Sequence, residues 1–184
     1  MSERTLRRCV GSELIRARRP SSRQLFLSQE EAAWVRSHWS LVAALRGALR
    51  TEPNVELAVI FGSAARGDDV AGISDLDLLV GLRRRSPGAL EALRLRLGVR
   101  LPVEVQIVPA DAVLDNPRLL AEVLRDGRPL VDRERAWPLL QAQAGQAQVL
   151  ADRLGEESRE GARAALGYFQ ELAAVRAQSP VGTV

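Results

Sequence analysis

The chain has 184 residues, of which 46% are apolar, 27% charged and 4% aromatic. This length is enough for one ordinary domain with some additional segments, and the composition excludes a disordered or fibrous protein. No apolar stretch approaches the ~20 residues that span a bilayer, and the Arg-rich N-terminus lacks the apolar region of a signal peptide. One cysteine and one histidine argue against disulfides, a zinc centre and a Ser-His-Asp triad, so we expect a cytoplasmic protein.

Positive charge is concentrated at the N-terminus. All 26 basic residues are arginine, and the first 50 residues carry ten of them against four acidic residues, whereas the rest of the chain carries sixteen against nineteen. This asymmetry indicates a basic arm that contacts nucleic acid or another acidic partner. A solvated helix face in the Arg-rich proteome of a GC-rich bacterium explains it equally well.

The first elements of a predicted domain follow this arm. Ser28, with Glu31 three residues later, has the form of a capping box and predicts the start of a long helix. The β-branched apolar run that comes next is typical of a strand buried on both faces. Alternation of acidic and aliphatic residues then indicates a second strand. The predicted elements are a helix to about residue 50, a strand at 55–61, a loop at 62–74 and a strand at 75–80.

The second half of the chain continues the alternation of helices and strands. Ser86 and Pro87 predict the start of a helix and Gly98 its end. Asn116 and Pro117 repeat the starting signal. The further predicted elements are a strand at 101–108, a helix ending at 126–127, a short edge strand at 129–131, and two C-terminal helices at 134–154 and 156–176 that hinge near Gly155. The sum is a small α/β (α+β) domain flanked by helices.

Two aspartates at the start of the second strand predict a cation site. Side chains alternate across a strand, so Asp75 and Asp77 share one face with Cα atoms ~6.6 Å apart. Two adjacent carboxylates repel each other unless a cation lies between them, and such oxygen ligands suit Mg²⁺. Mg²⁺ keeps water and substrate phosphate oxygens in its other coordination positions, which indicates a phosphate-bearing substrate.

The segment after the first strand predicts a phosphate-binding loop. Gly62 has no Cβ and allows a ligand to approach the backbone closely. Ser63 and its neighbours can begin a helix whose free N–H groups point at phosphate. Arg66 places a guanidinium within reach of a phosphate oxygen. A phosphate-binding loop after the first strand and metal ligands at the start of the second strand are the components that nucleotidyl transfer requires.

These two segments together resemble the signature of the DNA polymerase β nucleotidyltransferase superfamily, and most closely that of the minimal nucleotidyltransferases of bacteria. Residues 62–67 read GSAARG and residues 74–80 read SDLDLLV, where the family pattern is GSxARG followed by SDxDLLV. The spacer is one residue longer than in the tightest members. The resemblance covers about residues 55–131. It implies a small mixed sheet and Mg²⁺-dependent transfer of a nucleoside monophosphate, usually AMP from ATP, to a hydroxyl.

The resemblance also implies a third carboxylate on a later strand, and here the sequence departs from the pattern. Alignment by the following residues places Gln106 where the family has aspartate. Glu104 lies two residues earlier on the same face, where its longer side chain is a candidate substitute. A surface role for Glu104 is the alternative. The implied site is therefore Asp75, Asp77 and Glu104 on the metal, with Gly62, Ser63 and Arg66 on the nucleotide.

Many minimal nucleotidyltransferases are antitoxins that silence a neighbouring HEPN-domain toxin by adenylylating a tyrosine, so the resemblance implies such a partner. The HEPN motif, an arginine followed after four to six residues by histidine, cannot occur in the C-terminal helices because His38 is the only histidine. The toxin would therefore be a separate chain. We expect His38 itself to be exposed or interfacial, Trp34 and Trp137 to be packing residues, and Cys9 to be buried.

Residues 2–28 resemble the back half of a winged helix-turn-helix domain, with the end of a recognition helix at 2–8, a strand at 11–19 and a wing strand at 22–28. The first helices are absent, so we expect at most nonspecific DNA contact by the arm. A second hypothesis is accordingly a catalytically degenerate regulator that acts through DNA or protein binding. The expected division is an arm at 1–28, a nucleotidyltransferase domain at 29–132, a helical extension at 133–178 and a tail at 179–184.

Overall fold

A computed structural model describes residues 1–21, 24–69 and 75–160. Its strands are β1 (Arg18–Ser21), β2 (Gln24–Phe26), β3 (Val55–Ile60), β4 (Leu76–Leu82), β5 (Val105–Pro109) and β6 (Arg128–Asp132). Its helices are α1 (Glu3–Gly11), α2 (Gln29–Arg50), α3 (Gly62–Arg66), α4 (Ala89–Arg100), α5 (Ala110–Leu114), α6 (Pro117–Asp126), α7 (Ala136–Gln141) and α8 (144–160). Helices flank the four-stranded sheet, as the sequence predicted.

The main sheet is mixed, which confirms the expected fold class. Its strand order is β5-β4-β3-β6, with β3 antiparallel to both neighbours and β4 parallel to β5. The predicted edge strand is β6, as expected. The parallel pair β4 and β5 is joined through α4, which supplies the crossover that a parallel connection requires.

Each face of the sheet is covered by helices, so the central strands are buried on both sides. Ala58 and Ile60 of β3 point to one core, formed with α2 and α4, whereas Leu57 and Val59 point to a second core, formed with α6 and α7. This alternation follows from the two-residue period of a strand. The apolar run of β3 thus has the double burial that its sequence predicted.

Two of the predicted helix starts have the expected caps. The Ser28 hydroxyl accepts the Glu31 N–H at 3.1 Å at the start of α2. The Asn116 side chain accepts the Leu119 N–H at 3.2 Å, with Pro117 in the first turn of α6. The capping box is incomplete, however, because the Glu31 carboxylate does not bind the N–H of Ser28. It accepts hydrogen bonds from the Arg16 backbone N–H and from the Arg128 guanidinium instead.

The predictions for α4 and β5 need correction. The helix begins after Gly88 and continues through Gly98 to Arg100. No atom lies within 4 Å of a Cβ placed on Gly98, so this exposed glycine only weakens the helix, at a cost of about 1 kcal/mol relative to alanine. β5 begins at Val105 rather than at residue 101. Its ladder starts where the Leu76 N–H donates to the Glu104 carbonyl at 2.9 Å.

The hinge predicted at Gly155 is also wrong. The helix is interrupted by a turn at residues 142–143, between α7 and α8, and α8 continues through Gly155 without interruption. A single glycine inside a helix lowers its stability without ending it. The predicted helix beyond residue 160 and the tail at 179–184 lie outside the described residues. Within the described residues, no helix has both the length and the apolar character to cross a membrane.

The N-terminal residues form a helix and a hairpin, but they do not form a detached arm. α1 precedes the antiparallel pair β1–β2, whose first strand begins at Arg18 and not at residue 11. Cys9, Val10, Leu14 and Ile15 are buried in the main core against α2, and Cys9 is fully buried as expected. Part of the predicted wing, residues 22 and 23, lies outside the described residues.

Candidate active site

The two predicted metal ligands lie where β4 begins. Asp77 is the second residue of β4 and is half-buried, while Asp75 immediately precedes the strand and is exposed. Their side chains alternate with Leu76 and Leu78, which point into the main core, so both aspartates belong to the opposite face. The Phe61 N–H donates to the Asp77 carbonyl at 3.2 Å and thereby holds the end of β3 beside Asp77 in the sheet.

Gly62 follows β3 after one intervening residue, Phe61, and lies against the Asp77 carboxylate. Its φ of 70° lies in the left-handed region, and a Cβ there would collide with the Asp77 side chain. Glycine is therefore required both by the backbone conformation and by the close approach. α3 begins at Gly62, so residues 62–66 of the predicted loop are a short helix that starts beside the carboxylates. Ser63 lies partly exposed in its first turn.

The electrostatic environment of Asp77 disfavours its negative charge. Burial is the largest cause of the raised pKa of Asp77, followed by the negative charges of Glu122 and Asp75, while Arg66 acts in the opposite direction. A cation bound at this carboxylate would offset the same repulsion. The repulsion by Asp75 that the sequence predicted is the third of these causes, after burial and Glu122.

Arg66 is positioned by carboxylates. Its guanidinium donates to Asp126 at 2.9 Å and to Asp68 at 3.1 Å, and lies 3.4 Å from Glu122. These hydrogen bonds raise the pKa of Arg66. The side chain stays about one third exposed and lies close enough to Asp77 to influence its pKa. The sequence predicted a phosphate contact here and did not predict the carboxylate partners.

The third carboxylate is not assembled with the other two. Gln106 is the register partner of Asp77 in the parallel β4–β5 pair, so the two side chains share a face. Glu104 precedes β5, is exposed, and lies beside Asp75 through the Leu76 N–H bond to its carbonyl. Within residues 1–21, 24–69 and 75–160, no three His, Cys, Asp or Glu side chains lie close enough to hold a metal ion by themselves.

Sequence reasoning missed two acidic residues of α6 that border the site. Glu122 and Asp126 are four residues apart, on one helix face, and both contact Arg66. Asp126 is buried, at 6% exposure, which is unusual for a carboxylate unless it is paired. Their i, i+4 spacing was visible in the sequence, but the packing of α6 against α3 was not.

Asp126→Asn is expected to lower the free energy of unfolding by about 1 kcal/mol at neutral pH, allowing for the exposure of its arginine partners. Burial alone would raise the pKa of Asp126, but hydrogen bonds from Arg125 and Arg66 outweigh it and lower the pKa. A lowered pKa in the folded state means that the contribution is complete above the ordinary value of 3.8 and is lost as the pH falls below it. Urea unfolding of the wild type and the variant at neutral pH and at a pH below 3.8 tests the prediction. A loss of unfolding free energy that is equal at the two pH values would contradict it.

The expectation for His38 was wrong. The side chain is buried rather than exposed, and its Nε2 lies 2.7 Å from an Asp69 carboxylate oxygen just after α3. Trp34 and Trp137 are buried packing residues, as expected. His38 was misjudged because its partner is 31 residues distant and local patterns carry no sign of it.

A mixed sheet with paired carboxylates beside a glycine-started helix defines a nucleotidyltransferase domain. The profile of the family "Polymerase beta, Nucleotidyltransferase" matches residues 44–136, just over half of the chain. The protein belongs to this family. The match includes every residue proposed above for the site and agrees with the segment that carried the resemblance. A comparison with curated protein sequences finds no match.

Solved structures of toxin–antitoxin proteins share the fold. A toxin–antitoxin crystallised with AMP-PNP is 20% identical, covers 68% of this chain and 98% of its own, and has a TM-score of 0.51. A double mutant of the toxin–antitoxin MntA-HpeT is 19% identical, with the same coverage of both chains and a TM-score of 0.52. At this identity the likeness shows the fold alone.

The site residues fit a divalent cation. Asp75 and Asp77 supply hard oxygen donors. Burial first, and then the negative charges of Glu122 and Asp75, raise the pKa of Asp77, and a bound cation would offset that cost of ionisation. Two carboxylates are a typical protein contribution to a Mg²⁺ site, in which water and substrate phosphates supply the other ligands. The exposed position of Asp75 leaves room for them.

Proposed function

We propose that this protein is a Mg²⁺-dependent nucleotidyltransferase that moves AMP from ATP to a hydroxyl, and that the acceptor is a tyrosine of a separately encoded HEPN-type toxin. The observation that carries the proposal is the contact of the Asp77 carboxylate with Gly62, which joins the metal ligands to the start of α3. The toxin–antitoxin crystallised with AMP-PNP, which has this fold, supports the choice of nucleotide and of partner.

In this proposal, Asp75 and Asp77 hold the Mg²⁺, which neutralises phosphate charge and orients the reacting groups when it is bound. Gly62 and Ser63 bind phosphate oxygens through backbone N–H groups and the Ser63 hydroxyl. Arg66 adds positive charge on the triphosphate, and Asp126 holds its guanidinium in place. Positioning and charge stabilisation supply most of the catalysis in phosphoryl chemistry of this kind.

The acceptor hydroxyl attacks the α-phosphorus, the bond to the departing pyrophosphate breaks, and the hydroxyl proton passes to a base. We assign that base and the third ligand to Glu104, which lies beside Asp75. Gln106 is next to Asp77 but carries an amide that cannot take up the proton. The assignment requires the exposed Glu104 side chain to turn toward the aspartates when metal and nucleotide bind.

The acceptor is tested by incubating the protein with Mg²⁺, ATP labelled at the α-phosphate and the protein encoded next door. We expect label on the neighbouring protein after denaturing electrophoresis, and loss of that label when its tyrosines are replaced by phenylalanine. Label on the tyrosine-free protein would contradict the tyrosine assignment. If ATP binds and label reaches no protein, the protein acceptor is wrong.

The second candidate is a degenerate nucleotidyltransferase that regulates through DNA or protein binding, and Gln106 beside Asp77 is the observation that favours it. Transfer by the wild type, Glu104→Gln and Gln106→Asp separates the candidates. An enzyme that uses Glu104 loses roughly two orders of magnitude in Glu104→Gln, the usual contribution of a general base. A degenerate protein shows no transfer until Gln106→Asp restores a carboxylate. A gel shift negative at low salt would exclude the DNA version.

A further inference from the structure

Two buried side chains donate hydrogen bonds to the carbonyls in the last turn of α3. The Trp34 indole Nε1 donates to the Ala64 carbonyl at 2.8 Å, and the Arg128 Nε donates to the Ala65 carbonyl at 2.6 Å. The final carbonyls of a helix have no partner within the helix and must be satisfied from outside. Trp34 and Arg128, at 4% and 2% exposure, thus cap α3 from α2 and from β6.

The same aromatic surface supports the segment after α3. The His38 ring stacks on Trp34 with centroids 5.4 Å apart and planes 10° apart, and its Nε2 lies 2.7 Å from Asp69. Gly67, at φ 88°, lies so close that a Cβ would be 3.1 Å from the Trp34 ring. Residues 64–69 are therefore fixed at several points to one side of α2.

Arg128 is itself held by the N-terminal part of the chain. Its guanidinium lies 3.6 Å over the Trp34 ring and binds both carboxylate oxygens of Glu31, at 2.6 and 3.0 Å. It also donates to the Leu14 carbonyl at 3.2 Å, while Glu31 accepts the Arg16 N–H at 2.9 Å. The segment predicted as a DNA-binding remnant thus completes the support of α3.

We infer that Trp34, His38 and Arg128 are positioning residues that clamp α3 and residues 67–69 against α2, so that the phosphate-binding backbone is already in place before nucleotide arrives. The inference rests on the proposed function for the role of α3 as a phosphate-binding element. Preorganised N–H groups bind charge without the cost of ordering at the moment of binding. The clamp explains why a helix of only five residues keeps its geometry.

Trp34→Phe tests the clamp, and Trp137→Phe is the matched control. Both replacements keep a buried ring and delete one indole N–H, but Trp137 donates to Glu13 at 3.1 Å, away from α3. Hydrogen exchange of the Gly67 and Asp68 amides, which donate to the Ser63 carbonyl, reports the order of α3. Calorimetry measures the MgATP affinity of each variant, and urea unfolding measures its stability.

Trp34→Phe is expected to speed exchange of these two amides and to weaken MgATP binding, each by about three- to tenfold, the size of one lost neutral hydrogen bond. Trp137→Phe is expected to change neither the amide exchange nor the MgATP binding, even if it lowers the urea midpoint as much as Trp34→Phe does. Equal exchange in the two variants would overturn the inference whatever the nucleotide result. If wild-type protein binds no MgATP, the proposed function fails, and the exchange comparison still decides whether the clamp holds α3.

Discussion

Asp77→Asn is expected to reduce AMP transfer by about three orders of magnitude, because it removes a proposed metal ligand and the several kcal/mol of charge stabilisation that a bound metal would supply. The replacement keeps the size of the side chain and its contact with Gly62. The measurement is label transfer from ATP under saturating Mg²⁺, with the wild type alongside.

The same replacement is expected to leave the fold as stable as the wild type or slightly more stable. Burial, Glu122 and Asp75 raise the pKa of Asp77 above its ordinary 3.8, so ionised Asp77 is less favourable in the folded than in the unfolded chain. At neutral pH the neutral asparagine removes that cost. A urea midpoint well below the wild-type value would show that Asp77 is structural and would contradict the account.

Asp111→Asn is the matched control for the transfer assay. Asp111 is a half-exposed carboxylate whose partner is Arg85, at 2.6 Å on the surface. Removing its charge is expected to leave transfer unchanged and to have little effect on stability, since exposed ion pairs contribute little. Loss of transfer in this variant equal to that in Asp77→Asn would mean that overall charge, rather than the metal site, controls the activity.

Glu31→Gln is expected to destabilise the protein by about 3–5 kcal/mol, the usual cost of removing one partner of a buried ion pair. Glu31 and Arg128 are 7% and 2% exposed and pair through two hydrogen bonds. The variant leaves the Arg128 charge buried without a carboxylate. Urea or thermal unfolding measures the loss, which is a large fraction of the stability of an ordinary domain.

A double replacement distinguishes an unpaired charge from lost packing. Glu31→Met with Arg128→Met removes both charges, and it is expected to recover part of the stability because apolar substitutes for a buried pair are often tolerated. The recovery is incomplete because the Ala65 and Leu14 carbonyls and the Arg16 N–H lose their partners. Glu91→Gln, at an exposed helical pair with Arg94, is the surface control and should leave the midpoint unchanged. A double variant less stable than Glu31→Gln would contradict the explanation.

The local parts of the fold could be predicted from the sequence. Ser28 and Asn116 cap their helices as expected, and the alternation at residues 75–80 predicted β4, which begins at Leu76 and has Asp77 as its second residue. The two motifs around Gly62 and Asp77 were sufficient for the family, which the profile match confirms. These features depend on neighbours within a few residues, so their signals are local.

The supports of the site could not be predicted, because they depend on contacts between distant segments. Arg128 and Glu31 are 97 residues apart, and Arg66 and Asp126 are 60 apart. The capping-box pattern predicted that Glu31 binds the start of its own helix, whereas its carboxylate binds the buried guanidinium of Arg128. Gly98 and Gly155 were read as helix ends although exposed helices tolerate single glycines.

The proposed metal site at the start of β4 is tested by calorimetric binding of ATP, with and without Mg²⁺, to wild type and to the Asp75→Ala/Asp77→Ala double variant. Wild-type protein is expected to bind ATP more tightly with Mg²⁺, and the double variant is expected to lose the metal-dependent part. Wild-type binding that is absent, or that does not depend on Mg²⁺ or on the two aspartates, would contradict the assignment of a metal site at β4.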